Sequence, residues 1–502
     1  MVEITNPLIY SDLPDVDVIR VDDCFYMSST TMHMMPGIPI MRSTNLRDWE
    51  ICSYVYESLE DNDAHNLLNG LNIYGKGSWA TSLRFHEGRF FVCFNSNDMR
   101  RSYIYQADNP AGPWQRYVLN GCFHDPSLLF DTNGRVYLVY GGGDIYLVEL
   151  TRDATALLPG GVHQKIISTE KENVIVPCEG AHIYKINEEY YIFLIQWMKT
   201  GSARRRQWCY RSRDFLGPYQ GRVVLDDDLG YFNRGVAQGG IVDTPSGEWC
   251  APLFQDHDAV GRVPVLVPVM WEKGWPILGQ NGKVPSKFFL NLPESSIKTG
   301  LLQSDDFSQA SLGPHWQWNH NPDLANWSLK EHPGYLTLRV GRNVSHLLQA
   351  QNSLTQRTVG PCCSGEISLE TSNMKPGDYA GIAAFQNHYG FVGVKMDKQG
   401  EKHIIMAVNQ GDGQPAELES LLLHQEKVFL KIDFDFTMSR DKADFYYSLD
   451  GKEWICLGES LNMKYTLDHF MGYRVALFNY GTMESGGCVK FKYFKAWRFE
   501  GK

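Results

Sequence analysis

The sequence predicts an all-β protein, a five-bladed β-propeller followed by a C-terminal β-sandwich. The first 285 residues hold five hairpins of the same form: a strand, a polar or glycine-containing turn, a second strand, and an aromatic residue 11 or 12 positions after the start. The five hairpins begin at Asp15, Trp79, Asp125, Glu179 and Gln238. All-β units that repeat every 45 to 65 residues or so predict blades around an axis.

A second observation concerns the remaining chain. From residue 305 onward, segments such as 427–436 alternate apolar and polar residues without the hairpin repeat. Strands with one buried face are typical of a β-sandwich. Convincing helical periodicity is nearly absent from the whole chain.

Each hairpin is followed by further strand-like sequence, enough for about four strands per blade. The fifth blade ends near residue 280, at VPVMWEKGWPIL, and the sequence from 279 to 301 is rich in Gly, Pro, Lys and Ser. The predicted divisions are therefore a propeller over 1–285, a linker over 286–300 and a sandwich over 301–502.

Composition narrows the classes of partner. A net charge of −11 argues against nucleic acid and anionic membranes. The basic run Arg204–Arg206 is interpreted as a solvated hairpin tip. No apolar run is long enough to span a membrane, and the first residues lack the pattern of a signal peptide. The eleven cysteines show no metal-binding spacing, so we expect free thiols and a cytoplasmic protein.

Three of the five hairpins start on a carboxylate. The first strand of each blade lines the axis of a propeller, so Asp15, Asp125 and Glu179 are expected to meet at one mouth. Carboxylates held together raise one another's pKa, which suits a general acid, and paired carboxylates are the usual machinery of glycoside hydrolysis. Three other carboxylates fall off this register and are interpreted as ordinary strand-edge or turn residues: Asp17, Asp22 and Asp131.

The motifs themselves resemble a known family. PDVDVIRVDDCFY, GSWATSLRFHEGRFFV, HDPSLLFDTNGRVYLVYGGG, VPCEGAHIYKINEEYYIFL and GRVPVLVPVMWEKGWPIL are similar to successive motifs of glycoside hydrolase family 43. The resemblance implies a five-bladed catalytic propeller, an inverting mechanism, and a concanavalin-like sandwich packed on the propeller.

Position by position, the resemblance also implies roles. Asp15 matches the general base that activates water, Glu179 the general acid, and Asp125 the carboxylate that tunes the acid and positions substrate. Trp79 matches a wall of the pocket. Arg262 matches an arginine that contacts sugar hydroxyls or the modulating carboxylate.

Blade 5 departs from the family pattern. Gln238 stands where many members have a histidine that helps to hold a metal ion or water, and an amide replaces an imidazole poorly in that role. Gln238 is expected to bind substrate, as are Trp79 and Arg262. The chemistry requires no cofactor. A single calcium or sodium ion in the channel is what the resemblance implies. His257, nearby, is interpreted as a hydrogen-bonded structural residue.

The predicted function is exo-acting release of terminal α-L-arabinofuranosyl residues, with β-D-xylosyl residues as a second substrate, from short hemicellulose-derived oligosaccharides of xylan degradation. Two alternatives remain: a retaining hydrolase of the family 32 fructosidase type, whose own motifs are missing, and a non-catalytic sugar-binding propeller. In similar proteins one sandwich loop narrows the pocket. Two segments are candidates for that loop, 480–487 and 385–391.

Overall fold

The computed structural model describes residues 1–297, 300–409 and 414–499, and within them the regular structure is almost entirely strand. The helical elements are three 3₁₀ turns at Asp258–Val260, Leu347–Gln349 and Thr437–Ser439. In this part of the chain no helix has the length and apolar character needed to cross a membrane. The predicted sandwich range also includes 410–413 and 500–502, and the predicted linker includes 298–299; these residues lie outside the described ranges.

Five four-stranded antiparallel sheets form the propeller, which confirms the predicted blades. Blade 1 contains Asp17–Val21, Cys24–Ser28, Gly37–Ser43 and Glu50–Tyr56. Blade 2 contains Ser78–His86, Arg89–Ser96, Arg101–Ala107 and Gln115–Leu119. Blade 3 contains Ser127–Phe130, Val136–Tyr140, Asp144–Leu150 and His163–Ser168. Blade 4 contains Val174–Ile186, Glu189–Met198, Arg205–Ser212 and Gln220–Leu225. Blade 5 contains Val242–Asp243, Trp249–Asp256, Arg262–Glu272 and Trp275–Leu278.

The hairpin turns follow from their residues. Glu87 and Gly88 have φ of 47° and 82°, and Asn187 and Glu188 have φ of 49° and 63°. Two successive residues with positive φ match the twist of the flanking strands, which is why tight hairpins favour such turns. The first strands of neighbouring blades contact one another around the propeller axis. Residues at the start of these strands therefore lie around the mouth of the central channel.

The ring closes through the two ends of the propeller sequence. Val2–Thr5 pairs with Lys287–Leu290 in a separate two-stranded sheet. The Asn6 side chain donates to the Leu266 carbonyl at 2.8 Å and accepts from its N–H at 2.9 Å, which ties the N-terminal segment to blade 5. Part of the segment predicted as a linker, Lys287–Leu290, is therefore a strand. Its alternate residues Phe288 and Leu290 are buried in one cluster with Val2 and Ile4.

Two large sheets form the C-terminal sandwich. The first joins, in spatial order, Ala416–Leu422, Lys402–Val408, Gly390–Met396, Asp378–Phe385, Arg474–Gly481, Leu354–Arg357, Gln317–Asn319 and Met34–Met35. The second joins Trp327–Ser328, Leu336–Arg339, Cys488–Arg498, Cys362–Asn373, Lys427–Asp435, Lys442–Ser448 and Ile455–Cys456, with Leu461–Asn462 paired to Lys442–Ser448. Their inner faces share one apolar core that includes Ile367, Ile382 and Phe434.

The sandwich and the propeller are packed directly together. Met34–Met35, which lies within blade 1's sequence, pairs with Trp318 and Asn319 and so extends a sandwich sheet. Next to this strand, the buried side chain of Asp12 accepts hydrogen bonds from the N–H groups of Arg262 and Gly472 at 2.8 and 3.0 Å. One carboxylate thus connects blade 5 to a sandwich loop beside the mouth of the propeller.

Candidate active site

Backbone conformation at the mouth is unusual. Asp15, Asp125 and Gln238 have φ of 53°, 46° and 63°, in the left-handed region that non-glycine residues rarely adopt. In blade 4 the left-handed residue is Gly180, with φ of 65°. Such conformations are costly, and they concentrate at functional sites where the surrounding structure holds them. Four blades thus have a left-handed residue at the start of the hairpin or, in blade 4, one position after it.

Glu179 occupies a different position from the one its repeat suggests. Blade 4's first strand begins at Val174, so Glu179 lies within this strand, where the pairing with the second strand shifts register on both sides of it. A bulge re-aims side chains, and this one presents Glu179 at the mouth. A Cβ on Gly180 would lie 2.9 Å from the Gln238 side chain, so glycine is required next to the carboxylate.

Asp15 is buried in an ion pair. One guanidinium nitrogen of Arg262 donates to both carboxylate oxygens of Asp15, at 2.9 and 3.0 Å, and both side chains are 6% exposed. Burial raises the pKa of Asp15, the Arg262 charge opposes this, and Asp125 adds to it. The Arg262 charge favours the ionised carboxylate against the effect of burial, and an ionised Asp15 could accept a proton from water.

Asp125 and Glu179 meet across a histidine. His124 Nε2 lies 3.2 Å from a Glu179 oxygen and 3.7 Å from an Asp125 oxygen, and ligand atoms of the three residues lie within 4.8 Å of one another. The Asp125 carboxylate raises the pKa of His124 to about 9, with Glu179 contributing. Burial raises the pKa of Asp125, while His124 lowers it. His124, whose pKa is raised, thus lies between the carboxylates of Asp125 and Glu179.

The pocket wall is made by both domains. Trp79 lies beside His124, with ring centroids 5.9 Å apart, and beside Phe470, at 5.5 Å. Phe470 in turn covers the Arg262 guanidinium at 4.5 Å. Trp79 therefore adjoins Phe470, a sandwich residue that the sequence interpretation missed.

The prediction that 480–487 or 385–391 narrows the pocket was wrong. The sandwich loop that reaches the pocket is 463–473, which carries Phe470. Gly472 packs so closely on blade 5 that a Cβ would lie 2.1 Å from the Val260 carbonyl oxygen, and Tyr473 N–H donates to Ala259 at 2.8 Å. Segment 385–391 instead supports this loop from behind, since the Thr466 hydroxyl donates to Gln386 at 3.1 Å.

The basic run in blade 4 was also misread. Arg205 forms an ion pair with Asp256 and lies over the Trp197 ring at 4.7 Å, and its side chain is 19% exposed. Burial, then the charge of Arg262, lowers the pKa of Arg205 to about 10. Its flanking residues are paired as well, Arg204 with Asp226 at 2.6 Å and Arg206 with Gln196 at 2.8 Å. These charges are compensated within the fold near the mouth and are not a solvated tip.

The layer beneath the catalytic carboxylates contains a guanidinium. Arg84 donates to Asp17 at 2.6 Å, to the Leu128 carbonyl at 2.8 Å and to the Ser127 hydroxyl at 2.9 Å. Asp17 also lies 3.2 Å from His182. Asp17 is thus a buried residue joining blades, and its interpretation as an ordinary strand-edge carboxylate was wrong.

This layer bears on the metal ion that the resemblance implies. A calcium or sodium ion prefers several oxygen ligands. In this layer the oxygens of Asp17, Ser127 and Leu128 already accept from Arg84, which supplies the positive charge itself. The oxygens of Asp17, Ser127 and Leu128 therefore do not fit a metal ion, and we derive no step through one.

The other predicted residues are placed as follows. Gln238 is 7% exposed beside Gly180, and its backbone N–H donates to the Gln207 side chain at 2.7 Å. His257 Nε2 lies 2.9 Å from Gln255 Oε1, and its ring stacks on Tyr231. Asp131 is buried in an ion pair with Lys185 at 2.9 Å, away from the site.

Sequence reasoning missed three residues of the site. His124 was visible in the His-Asp-Pro-Ser motif, directly before Asp125, and its position there was the available signal. Arg205 and Phe470 carried no local signal. Their placement depends on how a hairpin and a distant loop pack at the mouth, which alternation and turn residues do not encode.

Two family models match the chain. Residues 4–276 match "Glycosyl hydrolases family 43", and residues 304–496 match "Beta xylosidase C-terminal Concanavalin A-like domain". The first match contains every predicted site residue. The second matches the sandwich that supplies Phe470.

Named relatives agree with these models. The chain is 28% identical to a β-xylosidase of Formosa agariphila, over 97% of this chain and 89% of the relative. It is 30% identical to a non-reducing end α-L-arabinofuranosidase of Bacteroides ovatus, over 66% of this chain and 64% of the relative.

A solved structure from Bacteroides eggerthii, described as a bifunctional GH43-CE protein, superposes with a TM-score of 0.94 at 45% identity. It matches 99% of this chain, and the chain spans 64% of that protein's length. Neither the retaining nor the non-catalytic alternative is favoured by these matches. The chain belongs to glycoside hydrolase family 43, a family of inverting glycosidases.

Proposed function

We propose that this enzyme removes terminal α-L-arabinofuranosyl residues, and β-D-xylosyl residues in the same pocket, from short oligosaccharides derived from hemicellulose. The observation that carries this proposal is the pairing of a base-like and an acid-like carboxylate in a pocket closed by Phe470. The names of the relatives, a β-xylosidase and an α-L-arabinofuranosidase, support the choice of pentoses.

In the proposed mechanism Asp15 accepts a proton from a water molecule that attacks the anomeric carbon. Arg262 keeps Asp15 ionised and oriented for this step. Glu179 gives its proton to the leaving glycosidic oxygen on the other side of the sugar. A water between the base and the sugar reverses the anomeric configuration.

Asp125 has a supporting role in this proposal. Its carboxylate accepts a backbone hydrogen bond from Gly180 and faces His124, which also contacts Glu179. In this proposal Asp125 positions the substrate and, through His124, helps to hold Glu179 in place.

Exo action is supported by the shape of the mouth. Trp79 and Phe470 form adjoining aromatic walls over the Asp15–Arg262 pair. Aromatic faces stack on sugar rings, and a pocket walled in this way accepts the end of a chain rather than its middle.

Paired assays test the substrate. We expect hydrolysis of p-nitrophenyl α-L-arabinofuranoside and, more slowly, of p-nitrophenyl β-D-xylopyranoside. Proton NMR of the first product should show the inverted anomer. Failure on both glycosides would refute the pentose assignment, and a retained anomer would refute the roles of Asp15 and Glu179.

We also propose that the enzyme works in the cytoplasm. Seven of the eleven cysteines are buried free thiols, which suits a reducing compartment. Fractionation of the source cells, with the activity assayed in each fraction, tests this; activity confined to the medium would contradict it.

A further inference from the structure

The pocket contains polar atoms that the protein leaves unpaired. Within the described residues, Arg262 Nε, Arg262 Nη2 and the Tyr465 hydroxyl are buried and have no hydrogen-bond partner. Nearly all buried polar groups in proteins are hydrogen-bonded, because an unpaired one loses its hydration without compensation. Both side chains contact the Phe470 ring, and three unpaired polar atoms around one ring indicate that a polar ligand completes them.

Tyr465 lies in the sandwich loop that covers the pocket. Its ring meets the Phe470 ring edge-on, with centroids 6.5 Å apart. Phe470 in turn rests on Arg262, which holds Asp15. Burial raises the pKa of Tyr465, and Asp15 and Arg262 are among the charges that act on it. The hydroxyl is therefore protonated at neutral pH, and its ring lies against the Phe470 ring that covers Arg262.

We infer that Tyr465 is a substrate-binding residue: its hydroxyl and the free guanidinium atoms of Arg262 hydrogen-bond to hydroxyl groups of the terminal sugar. A sugar hydroxyl both donates and accepts, so it can satisfy a phenol and a guanidinium together. This inference rests on the proposed function. It makes the sandwich a source of polar recognition as well as of an aromatic wall.

A second tyrosine in the same segment gives a matched contrast. The Tyr473 hydroxyl donates to the His388 carbonyl at 2.5 Å and accepts from the Lys464 N–H at 3.1 Å. Its hydrogen bonds are thus made within the protein, where they hold the loop. The Tyr465 hydroxyl has no such bond to lose when its oxygen is removed.

The test compares Tyr465→Phe with Tyr473→Phe in the full-length enzyme. For Tyr465→Phe we expect kcat/KM on the preferred p-nitrophenyl pentoside to fall about 10- to 100-fold, since a lost hydrogen bond in a buried site has this effect. The melting temperature should stay within about 2 °C of the parent. For Tyr473→Phe we expect the reverse, a melting temperature lower by several degrees and kcat/KM within about threefold.

Two results would overturn the inference. One is an unchanged kcat/KM for Tyr465→Phe, within twofold on both pentosides. The other is a fall in melting temperature as large as that of Tyr473→Phe, which would make the hydroxyl structural.

Failure of the proposed function gives a different result. In that case the parent enzyme itself hydrolyses neither pentoside. Calorimetry with free L-arabinose and D-xylose then decides about Tyr465: weaker binding by Tyr465→Phe supports it, and equal binding or no binding by the parent overturns it.

Discussion

Arg262 places a single guanidinium nitrogen within 3.0 Å of both carboxylate oxygens of Asp15. This contact joins blade 5 to blade 1 at the mouth, and it is buried on both sides. A buried carboxylate without such a partner would take up a proton and lose its function as a base. The ion pair therefore controls the protonation of the proposed base.

The pH dependence of the enzyme follows from this pair. Asp15 must be ionised to accept a proton, so activity falls as the pH drops through its pKa, which burial raises. Arg262→Gln removes the opposing charge, and we expect the acidic limb of kcat/KM to move up by about one pH unit or more. Arg262→Lys keeps the charge and should move the limb less. An unmoved limb in Arg262→Gln would contradict the role assigned to the pair.

Glu179→Gln tests the acid. We expect kcat on an oligosaccharide to fall about 10²- to 10⁴-fold, because the leaving oxygen can no longer be protonated. With a dinitrophenyl glycoside, whose leaving group needs no proton, the loss should be much smaller. Glu188→Gln, an exposed carboxylate in the turn that ends the same strand, is the control and should be unaffected. Equal losses on both substrates would argue against an acid role.

Phe470→Ala tests the contribution of the sandwich to the pocket. Removing the ring uncovers Arg262 and Trp79, so we expect KM to rise and kcat/KM to fall about tenfold or more. Leu467→Ala, an exposed position in the same loop, should change neither. Full activity of residues 1–285 alone would contradict this role for the loop.

Arg84 should stabilise the centre of the propeller. Burial acts to raise the pKa of Asp17, but Arg84 and His182 outweigh it and the pKa is lowered. Asp17 therefore contributes stability at neutral pH, and this contribution is lost as the pH falls through its folded-state pKa. Arg84→Met removes the arginine charge from the buried carboxylate, leaving His182 and the Leu83 N–H as its partners, and should cost about 3–5 kcal/mol of unfolding free energy. Arg89→Met, which removes an exposed ion pair with Asp108, should cost less than about 1 kcal/mol by denaturant titration.

The same cluster predicts the response to chelation. Because Arg84 already uses the oxygens beneath the site, we expect EDTA to shift the melting temperature by less than about 1 °C and to leave activity unchanged. A clear fall in melting temperature on adding EDTA, reversed by added calcium, would show that the channel holds a metal ion and would contradict this prediction.

The blades and the three carboxylates were predictable from sequence because their signals are local. Turn residues such as Glu87-Gly88 set the hairpins within a few positions, and apolar alternation sets which face is buried. Asp15 and Asp125 stand at the same position of the repeat, so they could be aligned from the sequence without information on long-range packing. Glu179 was found by the same repeat, although its strand starts five residues earlier than the repeat suggests.

What the sequence by itself determined was the architecture and the blade starts that bear a carboxylate, Asp15, Asp125 and Glu179. Only the tertiary structure decided what surrounds them: Arg262 on Asp15, Arg84 on Asp17, and Phe470 over the pocket. These partners are separated by about 65 to 250 residues or belong to another domain, and each contact depends on how sheets pack around an axis. The sequence does not show whether a charged or aromatic side chain faces solvent or a pocket. Its partner can therefore be identified only from the tertiary structure.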